Sequence, residues 1–268
     1  MKRNGTLAKS DLSISEEHDG RLVRVVIARP ERRNALRAQT FRELFALFDR
    51  LRSDARCTVL TITGGGDRAF CAGADIEEIS GLEPHEFRAF CQNTIELYRR
   101  MRALRQIVVA SVNGAAYGAG CALAMASDLV IADARARFAQ PEIRVGILGG
   151  SALLPRHLSN PRLAAEMVLT GRSISADEAE RYGLVNRVTS ADGLTAETDE
   201  MIATLLALPA GALALAKQAL VRGDAVPDAI AAFEIQQDLA TAAFALPERA
   251  ERMQAFLSRT DDRPKARG

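Results

Sequence analysis

Apolar, β-branched segments alternate with amphipathic helical segments over the first two thirds of the chain. The predicted strands span residues 22–28, 58–63, 107–112, 129–132 and 137–139. Between them, apolar residues recur at helical spacing over residues 38–52 and again after Pro84, which predicts two amphipathic helices. Strands that alternate with helices are typical of an α/β domain.

The pattern changes after about Val188, where the strand signal stops. Helices are predicted there over residues 201–208, 210–221, 229–244 and 248–259. The sequence therefore predicts an α/β core over residues 1–190 and a helical region over residues 191–268. A chain of 268 residues is long enough to bury a sizeable core in one large domain with such an appendage.

Composition and charge exclude several classes of partner and site. The 35 basic and 34 acidic residues give a net charge of +1, which indicates neither nucleic acid nor a membrane as partner. No two of the four cysteines are spaced as C-x-x-C, so neither a disulfide framework nor a structural metal site is expected. The polar N-terminal segment has no apolar signal-peptide core, and a cytoplasmic protein is expected.

Two glycine-rich turns follow predicted strands, GGGDRAFCAGAD over residues 64–75 and GAAYGAG over residues 114–120. Each leads into a helical pattern, where unpaired N–H groups carry partial positive charge. If the turns face each other, two N–H donors would meet at one oxygen and form an oxyanion hole without any side chain. The alternative is that the glycines only permit tight turns and close packing.

The spacing Gly114-x-x-x-Gly118-x-Gly120 also matches the dinucleotide cradle of short-chain dehydrogenases. That reading requires a Tyr-x-x-x-Lys pair. None of the three tyrosines, at positions 98, 117 and 182, is followed by lysine four residues later. Dinucleotide binding is therefore disfavoured.

Glu142 is a candidate catalytic carboxylate. It lies in the segment FAQPEIRVG, residues 138–146. It follows Pro141 at the end of a short strand and has aliphatic neighbours. Most glutamates are solvated surface groups. In a closed apolar pocket, however, desolvation would raise its pKa towards the range of a useful general base.

Taken together, the motifs resemble the enoyl-CoA hydratase/isomerase, or crotonase, superfamily. The motifs that carry the resemblance are RPERRNAL (29–36), AFCAGADIEEI (69–79), VNGAAYGAGCALAMASD (112–128), FAQPEIRVG (138–146) and LTGRSISADEAERYGLVNRV (169–188). Their order and separations match from about Leu22 to Val188, and PERAERMQAFLSR near the C-terminus is similar as well.

The resemblance implies a spiral of ββα turns with a C-terminal helical oligomerisation region, which packs trimers that are often stacked as hexamers. It implies acyl-CoA thioesters as substrates, with coenzyme A as part of the substrate and no permanently bound cofactor. It assigns the oxyanion hole to the N–H groups of Ala74 and Ala119, and the general acid/base to Glu142. Contacts to coenzyme A are implied for Arg32, Arg33, Cys71, Ala72 and Asp75.

The sequence departs from the hydratase pattern at Ala122. Hydratases of the superfamily place a second glutamate twenty residues before the one that matches Glu142, and here that residue is alanine. This favours chemistry with a single carboxylate, either double-bond isomerisation or a related lyase reaction. An atypical hydratase and an inactive acyl-CoA-binding protein are the alternatives. Polar residues considered as substitutes for the missing glutamate are Tyr117, Ser151, Glu77, Glu78 and His85.

Overall fold

The computed structural model describes residues 10–261 and contains two β-sheets. The strands are β1 (Leu12–Glu17), β2 (Leu22–Ile27), β3 (Val59–Gly64), β4 (Ala69–Cys71), β5 (Ile107–Val112), β6 (Ala115–Tyr117), β7 (Leu129–Asp133), β8 (Arg137–Ala139), β9 (Ile174–Ser175) and β10 (Arg187–Thr189). The larger sheet has the order β1-β2-β3-β5-β7-β10 and the smaller one the order β4-β6-β8-β9.

Helices connect and cover these strands. They are α1 (Ala38–Ser53), α2 (Ile76–Ile79), α3 (Pro84–Ala103), α4 (Ala119–Ala126), α5 (Leu154–His157), α6 (Pro161–Thr170), α7 (Ala176–Arg181), α8 (Leu194–Leu206), α9 (Ala210–Asp224), α10 (Ala229–Phe244) and α11 (Glu248–Asp261). Short 3₁₀ helices span Pro30–Arg32, Pro141–Val145 and Ser151–Leu153.

The two sheets arise from a repeated path of the chain. In the pairs β3–β4, β5–β6 and β7–β8, the first strand lies in the larger sheet and the second in the smaller. Neighbouring first strands are parallel, and so are β4, β6 and β8. Each pair is one turn of a spiral, so the ends of successive second strands, and the loops after them, lie side by side.

The core follows from the apolar faces of these elements. Alternating residues of β2 and the continuous apolar strand β5 are buried, and so is one face of α1. The largest fully buried side chains include Phe41 and Phe48 of α1, Phe70 of β4 and Phe138 of β8. Buried phenylalanines therefore pack both α1 and the smaller sheet into the core.

The predicted α/β core and helical C-terminal region are confirmed, but the short strands were not all foreseen. The turn predicted over residues 114–120 contains β6, and the one over residues 64–75 contains β4. Both strands have only three residues with small or buried side chains, which leaves no periodic signal. Strands β1, β9 and β10 were not predicted either.

The chain divides into two compact units, Met1–Leu205 and Leu206–Gly268. The division proposed from sequence, at residues 190 and 191, stays a prediction. Within the described residues, no single helix is long and apolar enough to cross a membrane. Over residues 10–261, only two consecutive helices taken together, Leu194–Leu206 and Ala210–Asp224, reach that length and apolarity.

Candidate active site

The two glycine turns lie against each other in the folded chain. Gly73 and Gly118 both have positive φ, +103° and +52°, where a side chain would be strained. A Cβ built on Gly73 would lie 2.9 Å from the Tyr117 carbonyl oxygen and 3.6 Å from the Ala119 nitrogen. The sequence needs glycine here because the backbones of the two turns approach so closely.

This approach brings together the N–H groups of Ala74 and Ala119, which both line one cavity. Ala119 is the first residue of α4, so its N–H has no acceptor within the helix. Neither N–H donates a hydrogen bond anywhere within residues 10–261. Two unpaired backbone donors at one cavity are the components that an oxyanion hole needs.

The second turn is fixed by bonds to the strand that precedes Glu142. The N–H of Gly118 donates to the Ala139 carbonyl at 2.9 Å, and Nε2 of the buried Gln140 donates to the Gly118 carbonyl at 3.2 Å. Pro141 then begins the 3₁₀ helix that carries Glu142. These bonds connect the turn that leads to Ala119 with the segment that leads to Glu142.

Glu142 points its carboxylate into this cavity. A Cβ built on Gly118 would lie 2.6 Å from Oε1 of Glu142, and one built on Gly149 would overlap that oxygen. Burial raises the pKa of Glu142 above its usual value, and a hydrogen bond from its own backbone N–H lowers it by less. A carboxylate desolvated in this way is a better base near neutral pH than an exposed one.

The cavity beside Glu142 has a volume of about 190 Å³ and mostly apolar walls. One wall is a stripe of α3, and the other consists of the two turns and the loop after Glu142. The lining residues are Ala74, Ile79, Phe87, Phe90, Cys91, Thr94, Ile95, Ala119, Glu142, Ile147, Leu148, Gly149 and Gly150. Such a pocket suits an apolar group held next to a carboxylate.

The residues expected to contact coenzyme A lie near the first turn but differ in their environment. Arg32 is exposed and pairs with Glu77. Arg33 has a left-handed backbone, its carbonyl accepts the N–H of Ala72 at 3.0 Å, and its side chain lines a second cavity of about 200 Å³ with Arg68. Arg68 was not identified from the sequence.

Cys71 and Asp75 have structural surroundings. Cys71 is fully buried, and burial raises the pKa of its thiol to about 12. The Asp75 carboxylate caps α2 through the N–H of Glu77 and pairs with Arg29 at 2.9 Å. Any role of Cys71 towards a ligand would therefore use its backbone, whereas the Asp75 side chain holds the turn.

Arg29 was not identified as important from the sequence beyond its place in RPERRNAL. It is buried between two carboxylates, Asp75 and Asp11, and also donates to the Ala35 carbonyl. The hydrogen bonds of Arg37 and Thr40 to Asp11 outweigh the effect of burial and hold the pKa of that carboxyl below its usual value. This ionic cluster ties the first turn to the N-terminal strands.

Ala122 lies beneath the cavity rather than on its wall. Its exposure is 1%, and a Cβ built on Gly150 would lie 3.8 Å from the Ala122 methyl group. Of the substitutes considered from sequence, Tyr117, Glu77, Glu78 and His85 do not line the cavity within the described residues, and the side chain of Ser151 lies outside the part of the chain that the structure describes. Thr94 and Cys91 do line the cavity. They were not identified from the sequence, because apolar residues at helical spacing also occur on any helix that faces the core.

Comparisons with known proteins identify the family. Residues 17–264 match the family model described as enoyl-CoA hydratase/isomerase. The chain is 37% identical over 249 residues to a crotonyl-CoA hydratase of Syntrophomonas wolfei, covering 91% of this chain and 94% of the relative. It is 37% identical over 210 residues to a short-chain-enoyl-CoA hydratase of Clostridium acetobutylicum, covering 77% and 80%.

A crystal structure of an enoyl-CoA hydratase from Mycobacterium smegmatis superimposes with a TM-score of 0.89 and 29% identity, covering 94% of this chain and 97% of that one. The two sheets and the C-terminal helices are thus those of the crotonase fold. The chain belongs to the enoyl-CoA hydratase/isomerase family.

Proposed function

We propose that the protein adds water to a short 2-enoyl-CoA, with Glu142 as its sole general acid/base. The observation that carries this proposal is the meeting of one desolvated carboxylate with two unpaired N–H groups at one apolar cavity. The names of the relatives support hydration over isomerisation or a lyase reaction, which reverses the preference drawn from Ala122 alone.

The chemistry needs one carboxylate if that group acts twice. Glu142 takes a proton from water as the water oxygen bonds to the β-carbon, and the C=C electrons pass to the thioester oxygen. The N–H groups of Ala74 and Ala119 stabilise this enolate oxygen. Glu142 then returns the proton to the α-carbon, which gives a 3-hydroxyacyl-CoA. One oxyanion-hole donor is typically worth ~10²- to 10³-fold in rate.

Isomerisation of a 3-enoyl-CoA to a 2-enoyl-CoA is the second candidate, and Ala122 favours it. In that reaction Glu142 removes an α-proton and returns it at the γ-carbon, while the same N–H groups hold the dienolate. No water enters, so no second acid is needed to orient one.

The two reactions are separated by measuring both with one preparation. The parent protein and Glu142→Gln would be assayed with crotonyl-CoA for hydration and with a 3-enoyl-CoA for isomerisation. Hydration that falls ~10²-fold or more in Glu142→Gln supports the proposal. Isomerisation without hydration would support the second candidate, and acyl-CoA binding without either reaction would indicate an inactive binding protein.

For coenzyme A, the proposal retains Arg32 and Arg33 as contacts of its phosphates and the backbone of Cys71, Ala72 and Asp75 as contacts of its adenine. The second cavity, between Arg33 and Arg68, supports a phosphate position there. No bound cofactor is proposed, and the cytoplasmic location stays a prediction.

A homotrimer or hexamer is proposed as the assembly. The unit Leu206–Gly268 supports it, because several large apolar side chains of that unit are exposed. They are Leu220, Ile230, Phe233, Phe244 and Phe256. Exposed apolar side chains of this kind are typical of surfaces that become buried in an interface with a partner.

A further inference from the structure

Thr94 stands out among the side chains of the cavity. It lies on the face of α3 that also carries Phe87, Phe90 and Cys91, at helical spacing. Of the described side chains that line the cavity, only Glu142 and Thr94 carry oxygen. Thr94 therefore borders the same apolar space as Glu142.

The Thr94 hydroxyl makes no hydrogen bond within the described chain. Other helical threonines turn their hydroxyl back onto the carbonyl four residues earlier, as in Thr170 to Glu166 at 2.7 Å and Thr204 to Glu200 at 3.0 Å. No such bond links Thr94 to the carbonyl of Phe90. The Thr94 hydroxyl is therefore available to bond a molecule in the cavity that this residue lines.

A water molecule in an apolar cavity needs two to four polar partners to be held there. Glu142 supplies one partner, because its carboxylate accepts the proton that the reaction removes. The second O–H of the water needs another acceptor, and the Thr94 hydroxyl is the remaining side-chain oxygen on the walls. A water held by both groups has a lone pair left to attack the β-carbon.

We propose that Thr94 holds the attacking water against Glu142 and then contacts the β-hydroxyl of the product. This inference rests on the proposed hydration. It assigns to α3 the water-orienting role for which Ala122 has no polar group. The water donates one O–H to Glu142 and the other to Oγ1 of Thr94.

The test compares Thr94→Val, which keeps the side-chain shape, with Thr94→Ser, which keeps the hydroxyl. Thr204→Val is the matched control, because Thr204 is an exposed helical threonine outside the cavity. The rate of crotonyl-CoA hydration is measured for each. The exchange of the α-protons of butyryl-CoA in D₂O is measured by NMR, because it needs Glu142 and the oxyanion hole but no attacking water.

The expected result is a loss of about tenfold in hydration kcat for Thr94→Val, the size of one good hydrogen bond, with smaller change in Thr94→Ser and none in Thr204→Val. Butyryl-CoA exchange should stay at the parent rate in all three. Hydration at the parent rate in Thr94→Val would overturn the inference. An equal fall of hydration and exchange would also overturn it, because Thr94 would then act on acyl placement.

Failure of the proposed function gives a different result. A parent protein that exchanges α-protons but does not hydrate crotonyl-CoA contradicts the hydratase proposal and the water-holding role together. A parent that hydrates, with Thr94→Val equal to it, contradicts only the role of Thr94.

Discussion

The carboxylate of Glu142 lies directly on the backbone of Gly149, so that a Cβ on Gly149 would overlap Oε1 of Glu142. The conformation of Gly149 does not itself demand glycine, since its φ is outside the left-handed range. The requirement is one of space. Gly149 is glycine because the candidate base occupies the volume of its side chain.

Gly149→Ala should therefore displace Glu142 while leaving the fold intact, because a flexible carboxylate gives way more easily than backbone. We expect kcat to fall by ~10²-fold, since small misplacement of a reacting group has effects of that size. Gly81→Ala is the control, because nothing lies within 4 Å of a Cβ at Gly81. Equal kcat in the two variants, at equal thermal stability, would contradict the placement of Glu142.

Glu142 should reduce the stability of the fold at neutral pH. Burial raises the pKa of this carboxyl, so the folded state binds its proton more tightly than the unfolded state does. The protonated carboxyl is therefore compatible with folding at low pH. This compatibility is lost, and stability falls, as the pH rises from the pKa of the unfolded state, near 4.5, through the higher pKa of the folded state.

Glu142→Gln should accordingly have a higher Tm than the parent at pH 8, and the difference should shrink as the pH falls to about 4.5. Differential scanning calorimetry over this pH range measures it. A Tm difference that grows towards acid pH would show that the carboxylate is stabilised, rather than destabilised, by its surroundings. Such a gain in stability at the cost of activity is typical of active-site groups.

Arg29 should be far more important for stability than the neighbouring Arg32. The side chains of Arg29 and Asp75 are 9% and 11% exposed, whereas those of Arg32 and Glu77 are 47% and 71% exposed. Arg29→Met leaves a buried carboxylate without its partner, which typically costs about 3–5 kcal/mol.

Arg32→Met removes only an exposed ion pair, and the expected change in the free energy of unfolding is below about 1 kcal/mol. Urea denaturation of the two variants provides the comparison. Similar losses in both would mean that Arg29 does not hold the first turn through Asp75.

The size of the cavity beside Glu142 predicts a preference for short acyl groups. Its volume of about 190 Å³ is near that of a ~150 Å³ protein cavity that binds benzene. We expect kcat/KM for crotonyl-CoA to exceed that for 2-hexadecenoyl-CoA by at least about tenfold. A preference for the long chain would show that the acyl group leaves this cavity by another path.

Widening the cavity gives a second measurement of the same limit. Phe90→Ala should shift the preference towards longer acyl chains, because Phe90 forms part of the wall on α3. Phe48→Ala is the control, since Phe48 is buried in the core away from the cavity. Loss of stability without a shift in chain-length preference is expected for the control.

The long, periodic elements were predictable from sequence because their apolar residues repeat over several turns or pleats. Helix α1 and strand β5 match their predicted ranges within a residue. Strands β4 and β6 were not predictable, since three residues of small or buried side chains carry no period. Their pairing depends on the spiral bringing distant segments together.

Within the site, too, some residues have a recognisable sequence signal and others have none. Glu142 was recognisable from its motif, and its raised pKa was expected only if it faced an apolar pocket, as it does here. Thr94 and Phe90 were not recognisable, because the stripe they form on α3 has the pattern of an ordinary core-facing helix. Only the folded chain places that stripe opposite Glu142.

The most direct test of the account is the exchange of α-protons of butyryl-CoA in D₂O, followed by NMR in the parent and in Glu142→Gln. This reaction isolates proton removal by Glu142 and enolate stabilisation by Ala74 and Ala119 from every later step. The account predicts exchange in the parent and a loss of ~10²-fold or more in Glu142→Gln. Exchange at the parent rate in Glu142→Gln would contradict it.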